Sequence, residues 1–294
     1  MSEPQSVRVE RPPLAVIVTT RNEEINIERC LRSVHGWARQ IFVLDSESSD
    51  RTIEMARAYA EVRSLAYEHG RIIPWIFQWG LDNLPIETEW VLILEADQAP
   101  TPELKREIDL LLAGDGPPQN GFYIRRKQIF RGQWIRWGGY GNKHLLKIFR
   151  RSRARLDPAE QDTRVYVDGE VGKLRAPIEE WNLKEDSILF YLEKHLRYAE
   201  AFAQEELLRR RGLLSWKTKP RLLGTPDERV LWLKSIYYRL PLYWRPFLYF
   251  FYRYFVQLGF LDGKTGFVFH FLQAFWFRLV TDVRLEELTK ARRD

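Results

Sequence analysis

Two carboxylates separated by one residue follow an apolar run in the first third of the chain. The run WVLILE ends at Glu95, and Asp97 lies two residues further on. Mg²⁺ and Mn²⁺ prefer oxygen ligands and are often held by one or two carboxylates together with substrate phosphates. The pair therefore predicts a divalent-metal site that would neutralise charge on a departing phosphate. The alternative is an ordinary helix N-terminus with a solvated acid.

Polar clusters also follow two earlier apolar runs. Thr20, Asn22 and Glu23 lie at or just after the end of LAVIVTT, and Asp45 ends QIFVLD before the polar loop 46–50. Each cluster has the side chains to hydrogen-bond a base or a ribose. Each also fits ordinary loop chemistry, because Asp, Asn and Ser favour turns and helix caps. In that second interpretation Asn22 caps the first helix and Asp50 caps the second.

Short apolar runs alternate with stretches of helical character over the first third of the chain. The predicted strands cover 14–20, 40–45, 62–68 and 90–95, and the predicted helices cover 22–35, 50–58, 74–83 and 101–112. Continuous apolar strands that alternate with helices indicate a parallel α/β sheet. Ligands bind at the carboxyl ends of the strands in such sheets. The polar residues all fall at those ends, so the pattern predicts one binding site there.

The pattern changes after residue 121. Strands are predicted over 122–132 and 145–149 around a glycine-rich bend at 138–141. A further strand pair with an Asp168-Gly169 turn is predicted over 164–174. A long amphipathic helix is predicted over 186–211.

Composition limits the class of protein. With 45% hydrophobic and 29% charged residues the chain is globular, and its net charge of +6 suits an anionic partner. The single cysteine, Cys30, excludes an internal disulfide and fits a cytosolic compartment, where it is expected to be a small buried side chain. Residues 1–13 are polar and lack the apolar core of a signal peptide, so we expect a short flexible lead.

The last third of the chain is unusually aromatic. Nineteen of the 41 aromatic residues lie between residues 231 and 277, in predicted helical stretches over 227–258 and 264–288. The segment 209–221 before them has six Lys or Arg and no acid. No run of about 18 apolar residues predicts a membrane span. Aromatic and basic residues together favour helices lying at a membrane surface, with a packed helical subdomain or a dimer interface as alternatives.

Three runs carry a family resemblance. LAVIVTTRNEEINIERCLRSV, IFVLDSESSDRTIEMA and WVLILEADQAPTPEL together resemble the family 2 glycosyltransferases of the GT-A fold. The similarity is greatest to bacterial lipopolysaccharide-core glucosyltransferases and related enzymes of cell-surface polysaccharide assembly. It is strong over the first 115 residues and looser through GQWIRWGGYG, VYVDGEVGKL and LGFLDGKTGF.

The resemblance implies a fold, a reaction and a site. The fold would be α/β, a GT-A (Rossmann-like) mostly parallel sheet, and the composition of the last third adds a C-terminal helical, aromatic-rich, membrane-associating extension. The enzyme would move a sugar from a nucleotide-diphosphate donor, with Mg²⁺ or Mn²⁺, and invert the anomeric centre in one displacement. Thr20, Asn22 and Glu23 would line the nucleotide pocket, Asp45 would hold the nucleobase, and Asp97 would be the main metal ligand.

The sequence departs from the family pattern around the metal. Glu95 stands where an aspartate is more common, and Gln98 replaces an acid after Asp97. A glutamate is one methylene longer and still able to ligate, so Glu95 stays a candidate metal ligand.

The catalytic base is also ambiguous, because the acids that related enzymes carry in this part of the chain are absent. Our candidate is Asp162, with Glu160 next, and either must reach the acceptor hydroxyl. His144 is a further candidate, as a base or as a metal ligand, although a lone histidine is more often structural.

Three basic residues near the bend are candidates for the diphosphate. They are Arg125, Arg126 and Lys143, and solvated charge at a strand edge is their alternative role.

The sequence divides into four functional segments. They are a lead (1–13), a nucleotide-sugar-binding half (14–120), an acceptor-side half (121–184) and a helical, membrane-interfacial extension (185–294). A lipid-linked or polysaccharide acceptor, a cytoplasmic location on the inner face of the cell membrane, and no nucleic-acid partner complete the hypothesis.

Two rival functions stay open. A nucleotidyltransferase of the same fold would release pyrophosphate, but such enzymes usually have a glycine-rich loop after the first strand, and residues 20–23 contain no glycine. A degenerate transferase acting as a membrane scaffold is the other, motivated by Glu95, Gln98 and the missing acids.

Overall fold

The computed structural model describes residues 11–66, 73–156, 164–216 and 218–291, with the backbone alone at 73 and 74. The chain forms two compact units. The first contains the chain up to residue 124 together with 146–178, and the second contains 125–145 together with 179 onwards. The four functional segments expected from the sequence stay predictions.

Strands and helices alternate through the first part of the chain, as the sequence predicts. In order they are β1 (Leu14–Thr20), α1 (Ile27–Val34), β2 (Gln40–Asp45), α2 (Thr52–Arg57), β3 (Glu61–Ser64), α3 (Ile73–Asn83), β4 (Trp90–Glu95), β5 (Gln98–Pro100), α4 (Pro102–Leu111), β6 (Gly121–Phe130), β7 (Gln133–Trp134), β8 (His144–Arg150), β9 (Ala154–Leu156), β10 (Val165–Val167) and β11 (Val171–Trp181).

The described strands form a main sheet in the order β3-β2-β1-β4-β8-β6-β11-β5, with β7 paired to β6. The strands β3, β2, β1 and β4 run parallel, and β8 joins β4 antiparallel. The first four strands therefore all end at the same edge. This arrangement confirms the predicted α/β class with a mostly parallel first half.

Helices cover both faces of the parallel strands. All seven residues of β1 are buried. Since side chains alternate along a strand, Val16 and Val18 pack with α1 and α4 on one face, and Ala15 and Ile17 pack with α3 on the other. Burial on both faces explains why the strands read as unbroken apolar runs.

Local differences from the sequence predictions have physical causes. The first helix begins at Ile27, not at residue 22. Asn22 has a positive φ of 53°, which is not helical, and its side chain accepts a hydrogen bond from the Ser49 amide in the loop after β2. Asn22 is therefore not the N-cap. The Asp168-Gly169 turn does not join a hairpin. The strand before it, β10, pairs with β9 in a separate two-stranded sheet, while β11 belongs to the main sheet.

The second unit is mostly helical. Its helices are α5 (Ile188–Arg210), α6 (Pro226–Tyr237), α7 (Trp244–Phe251), α8 (Gly263–His270) and α9 (Phe277–Lys290). A π-helical turn, Tyr252–Val256, extends α7, and another, Phe271–Trp276, joins α8 to α9. The long helix predicted over 186–211 is confirmed as α5. The stretch predicted over 227–258 forms two helices, and Pro241 lies between them.

Aromatic side chains form the core of the second unit. Phe130, Tyr140, Tyr191 and Phe269 are buried together, and their rings meet edge to face or tilted. This packing confirms the predicted helical, aromatic-rich C-terminal region. Within the described ranges, no helix combines the length and apolar character that crossing a bilayer requires.

Candidate active site

The ends of three neighbouring strands bring the predicted site residues to one edge of the sheet. In the register of β1 and β2, Thr20 lies opposite Asp45, and in that of β1 and β4, Thr19 lies opposite Glu95. Backbone hydrogen bonds from Ser46 to Thr20 (3.0 Å) and from Ala96 to Thr19 (3.1 Å) extend both pairings. Because neighbouring strands are about 4.8 Å apart, the ends of β2 and β4 are about 10 Å apart, within the span of one nucleotide.

The loops after β1 and β2 are hydrogen-bonded to each other through Asn22. Its amide donates to Ser48 Oγ (2.8 Å), and its side-chain oxygen accepts from the Ser49 amide (2.8 Å). The positive φ of Asn22 places both groups toward the second loop. Asn22 therefore shapes the rim of the site by joining two loops that are 26 residues apart in sequence.

Glu23 and Asp50 form further hydrogen bonds between the loop after β1 and the loop after β2. The Glu23 amide donates to Thr52 Oγ1 (2.7 Å), and Glu23 Oε2 accepts from the buried side chain of Asn26 (2.6 Å). Asp50 accepts from the amides of Thr52 (3.0 Å) and Glu24 (3.2 Å). The N-cap position of α2 is Arg51, so the prediction that Asp50 is the cap was wrong by one residue, although Asp50 still supports the start of the helix through the Thr52 amide. The pocket-lining role of Glu23 stays a prediction.

Asp45 is fully buried at the end of β2. Its carboxylate accepts from the Ser48 amide (2.9 Å) and from Ser48 Oγ (2.5 Å). These bonds satisfy part of the charge and fix the carboxylate against its own loop. Ser48, which sequence reasoning did not single out, therefore orients Asp45, the residue predicted to bind the nucleobase.

Thr20 carries a buried polar atom at the centre of the edge. Its Oγ1 has no hydrogen-bond partner among the described residues. Leaving a buried hydroxyl without a partner costs about 1–3 kcal/mol. A ligand that supplies a donor or an acceptor at this point would recover that cost, which fits the predicted role of Thr20.

Glu95 has a cationic partner that the sequence did not predict. Lys147 Nζ lies 3.3 Å from Glu95 Oε1, and the Glu95 amide donates to Gln98 Oε1 (3.1 Å). Lys147 is the one lysine of strand β8 and lies between apolar residues. A single charge inside an apolar run is the sequence signal by which this residue could have been found. Gln98, which stands in place of an acid, holds the backbone of Glu95.

Asp97 lies half-buried in the turn after β4. Its backbone carbonyl accepts from the Arg29 guanidinium on α1. Cys30 is fully buried next to Arg29, and burial raises the pKa of its thiol to about 12. The thiol therefore stays neutral and serves as a small core side chain, as the sequence predicted. Arg29 adds positive charge near Asp97 that sequence reasoning missed.

The fit of a divalent ion depends on Asp97. No group of three or more His, Cys, Asp or Glu that would hold a metal lies within the described ranges. The residues present nevertheless fit an ion held by one protein carboxylate, with diphosphate and water oxygens completing its coordination, which is how Mg²⁺ is commonly bound. The carboxylate of Asp97 suits that arrangement, whereas Glu95 is shared with Lys147.

The remaining candidates lie in other parts of the chain. Glu160 and Asp162, the candidate bases, lie outside the described residues. His144 Nδ1 is 2.9 Å from the Asn142 carbonyl, so in the tautomer protonated at Nδ1 it donates to a neighbouring loop. Arg126 pairs with Glu180 at 2.9 Å within the second unit.

Two further predictions concern residues near Arg126. The Arg126 amide donates to the carbonyl of Lys143 at 2.8 Å, and Arg125 lies half-buried in β6. Their proposed contacts with a diphosphate stay predictions.

Comparison with known proteins identifies relatives over part of the chain. The sequence is 28% identical over 105 residues to an uncharacterized glycosyltransferase of Rickettsia bellii, covering 34% of this chain and 33% of that protein. It is 28% identical over 125 residues to one of Rickettsia typhi, covering 40% of each. The chain thus spans a third to two fifths of the length of these relatives.

A structural comparison gives a partial superposition. Glucosyl-3-phosphoglycerate synthase from Mycobacterium tuberculosis, solved with Mn²⁺, UDP and glucosyl-3-phosphoglycerate, is 17% identical, with a TM-score of 0.41. The match covers 69% of this chain and 81% of that one.

A family-level match covers the parallel strands and the edge where they end. The description Glycosyl transferase family 2 matches residues 15–162, which is half of the chain. The matched segment contains β2, β4 and all of β1 except Leu14, with all the residues placed at the ends of these strands, and it also contains both candidate bases. The chain therefore belongs to glycosyl transferase family 2.

Proposed function

We propose that the chain transfers a sugar from a nucleotide-diphosphate sugar to an acceptor hydroxyl, with inversion at the anomeric carbon. The observation that carries the proposal is the shared edge of β2, β1 and β4, where Asp45, Thr20 and Asp97 follow consecutive strand ends in a chain of family 2. Parallel α/β sheets bind their ligands at this edge.

The donor would lie across the three strand ends. Asp45, oriented by Ser48, accepts hydrogen bonds from the nucleobase, and Thr20 Oγ1 offers a buried polar contact near the ribose or phosphate. Asn22 and Glu23 keep the two loops in place, so the pocket is formed before the donor arrives. Such preorganisation lowers the entropy cost of binding.

The diphosphate would lie toward β4, where Asp97 is placed. A divalent ion bound by Asp97 would supply positive charge to the diphosphate as it leaves. Lys147 and Arg29 add two fixed cations of the chain itself near this end of β4. Together they reduce the cost of placing a diphosphate beside Glu95 and Asp97.

Transfer requires a base on the acceptor side. The acceptor oxygen forms a bond to the anomeric carbon while the bond from that carbon to the diphosphate oxygen breaks, and its electron pair leaves with the diphosphate. The acceptor proton passes to a carboxylate, for which Asp162 is the first candidate and Glu160 the second.

The acceptor and its location are the finer part of the proposal. A lipid-linked or polysaccharide acceptor in cell-surface glycan synthesis, of the kind used in lipopolysaccharide-core assembly, follows from the sequence resemblance. A position on the inner face of the cell membrane is supported by the aromatic helices of the second unit and by the basic segment 209–221.

Donor binding and transfer test the proposal together. Melting temperature is measured against a panel of nucleotide sugars with and without Mn²⁺, because a ligand of the native state stabilises it by mass action. The donor that raises the melting temperature most is then used in a transfer assay with membrane extract as acceptor. We expect Asp97→Ala to lose about 100-fold in rate, since several kcal/mol of charge stabilisation disappear.

Asp115→Ala, on an exposed acid in the loop after α4, is the matched control and should keep wild-type activity. An active Asp97→Ala enzyme would refute the metal role. Release of pyrophosphate from a nucleoside triphosphate supplied together with a sugar phosphate, with no transfer from the nucleotide sugar, would show a nucleotidyltransferase. A protein that binds donor but transfers nothing would be the degenerate scaffold.

A further inference from the structure

A stripe of large apolar side chains is exposed along α7 and its π-helical extension. Trp244, Leu248, Phe251 and Phe255 follow one another at spacings of four, three and four residues, which places them on one face of the helix. Between 49% and 69% of each side chain is exposed. Contiguous exposed surfaces made of several large apolar side chains are uncommon on monomeric soluble proteins and usually mark an interaction surface.

The following helix continues the same surface. Phe247 and Phe250 on α7 meet Phe275 and Phe271, with ring centroids 4.6 Å and 6.2 Å apart, so the two helical segments pack side by side. We call residues 244–276 the aromatic hairpin. Its outer side also exposes Phe260, Leu261, Phe267 and Phe271. The apolar surface is therefore contiguous across both helices and the turn between them.

The inner side of the aromatic hairpin is fixed by polar contacts. The carboxylate of Asp262 accepts from the amides of Arg136 (3.1 Å) and Trp137 (2.9 Å), and the Gln257 carbonyl accepts from the Gly138 amide (2.9 Å). Arg253 lies 4.4 Å from the centre of the Tyr140 ring. The exposed stripe is thus the outer face of a well-anchored element.

The charges on the aromatic hairpin indicate what covers it. Between residues 239 and 281 the chain has one acid, Asp262, which is 6% exposed. Arg239 and Lys264 are exposed, so the exposed charges of this segment of the chain are positive. Such a surface offers no carboxylate to the cations of a protein partner, whereas lipid phosphates supply anions beside an apolar layer.

We propose that the aromatic hairpin inserts its outer face into the headgroup and upper acyl region of an anionic bilayer, with Arg239 and Lys264 at the phosphates. The hairpin would hold the protein at the membrane as a monotopic surface, with aromatic rings at the depth they favour. This inference deepens the proposed membrane location and rests on it. It is independent of the transfer chemistry.

Flotation with vesicles tests the surface directly. Wild-type protein is mixed with phosphatidylcholine vesicles containing phosphatidylglycerol, and the floated fraction gives a partition coefficient. We expect Phe251→Ser with Phe255→Ser to reduce that coefficient at least tenfold. The matched control is Leu110→Ser with Leu189→Ser, which changes two even more exposed apolar residues elsewhere and should stay within twofold.

A second measurement covers the case in which the serine variant folds poorly. Lipids brominated on the acyl chain should quench the fluorescence of Trp244. The decrease in tryptophan fluorescence caused by these lipids should therefore be smaller in Trp244→Phe than in wild type. Unchanged quenching in Trp244→Phe, or flotation of the serine variant at the wild-type level, would overturn the proposal. Dimers that Phe251→Ser dissociates, in a wild type that does not float, would assign the surface to a second copy.

Two further measurements separate this inference from the proposed reaction. Asp97→Ala should float like wild type, and the serine variant should keep its donor-dependent rise in melting temperature. If the protein floats but shows no transfer, only the reaction is refuted. If transfer proceeds without any flotation, only the surface is refuted.

Discussion

Lys147 Nζ lies 3.3 Å from Glu95 Oε1, and the two side chains differ greatly in burial, at 2% and 32% exposed. Neutralising the carboxylate leaves a buried ammonium without its counter-charge, whereas removing the lysine leaves a carboxylate that water reaches. We therefore expect Glu95→Gln to lower the free energy of unfolding by about 2–3 kcal/mol and Lys147→Met by about 1 kcal/mol or less.

Urea unfolding of both single variants and the double variant measures this asymmetry. The double variant should resemble Lys147→Met, because it leaves no buried charge. Glu61→Gln, which breaks an exposed pair with Arg63, is the control and should cost under about 1 kcal/mol. Equal losses for the two single variants would contradict the prediction.

The bend at Gly138 gives a steric prediction. Gly138 has a φ of +63°, and an added Cβ would lie 2.1 Å from the His270 ring. Gly114 has the same φ with nothing within 4 Å, so it isolates the backbone cost. We expect Gly114→Ala to lose about 1–2 kcal/mol of unfolding free energy and Gly138→Ala to lose about 1–3 kcal/mol more. Urea denaturation of the two variants, measured side by side, tests this difference. Equal losses of unfolding free energy would show that the His270 ring moves away at no cost.

Arg245 is the central cation of a buried cluster in the second unit. Its guanidinium donates to both oxygens of Glu206 (2.9 and 2.8 Å) and to Asp282 Oδ1, and it is 1% exposed. Arg245→Met leaves the buried Asp282 without its cation and the buried Glu206 with Arg210 alone, so we expect a loss of about 3–5 kcal/mol. Thermal and urea unfolding measure it. Arg32→Met, on an exposed pair with Glu28, should unfold at nearly the same urea concentration as wild type.

His270 predicts a pH dependence of stability. Burial, and to a lesser extent Arg253, lowers its pKa to about 4, while an exposed histidine titrates near 6.5. The unfolded chain therefore binds the proton first as pH falls. The stabilising contribution is complete above pH 6.5 and is lost as pH drops toward 4. The loss should reach about 3 kcal/mol, since each unit of pKa difference is worth about 1.4 kcal/mol.

Urea unfolding at pH 7, 6, 5 and 4.5 checks the sign and the size of this effect. The nearest facing acid is Asp262, with Oδ2 at 4.0 Å from His270 Nε2, so Asp262→Asn should be measured alongside. We expect His270→Phe to flatten the profile. His35→Gln, on an exposed histidine, should follow wild type. A wild-type stability that rises toward pH 4.5 would contradict the prediction.

The sequence predicts local structure well where the signal is local. The strands at 14–20, 40–45 and 90–95 coincide with β1, β2 and β4, because apolar runs buried on both faces end abruptly at polar residues. Thr101 accepts from the Leu104 amide at the start of α4, as a helix-opening threonine should. The placement of Thr20, Asp45 and Asp97 at one edge follows from the same parallel topology.

What the sequence does not predict depends on distant partners. Lys147 and Glu95 are 52 residues apart, and nothing in either local run indicates the other. The Asp168-Gly169 turn has the residues of a hairpin, but the strands on either side pair elsewhere. The roles of Asn22 and Ser48 depend on the backbone of two loops, which composition does not specify.

The carboxylate of Asp262 connects the C-terminal helical region to the glycine-rich bend near residue 138. Its two acceptor bonds reach main-chain amides 125 and 126 residues earlier. A protein shortened before Gly259 would expose those amides and release the glycine-rich bend. C-terminal truncation would therefore change a loop that precedes β8. The undivided chain is therefore the better material for measuring activity.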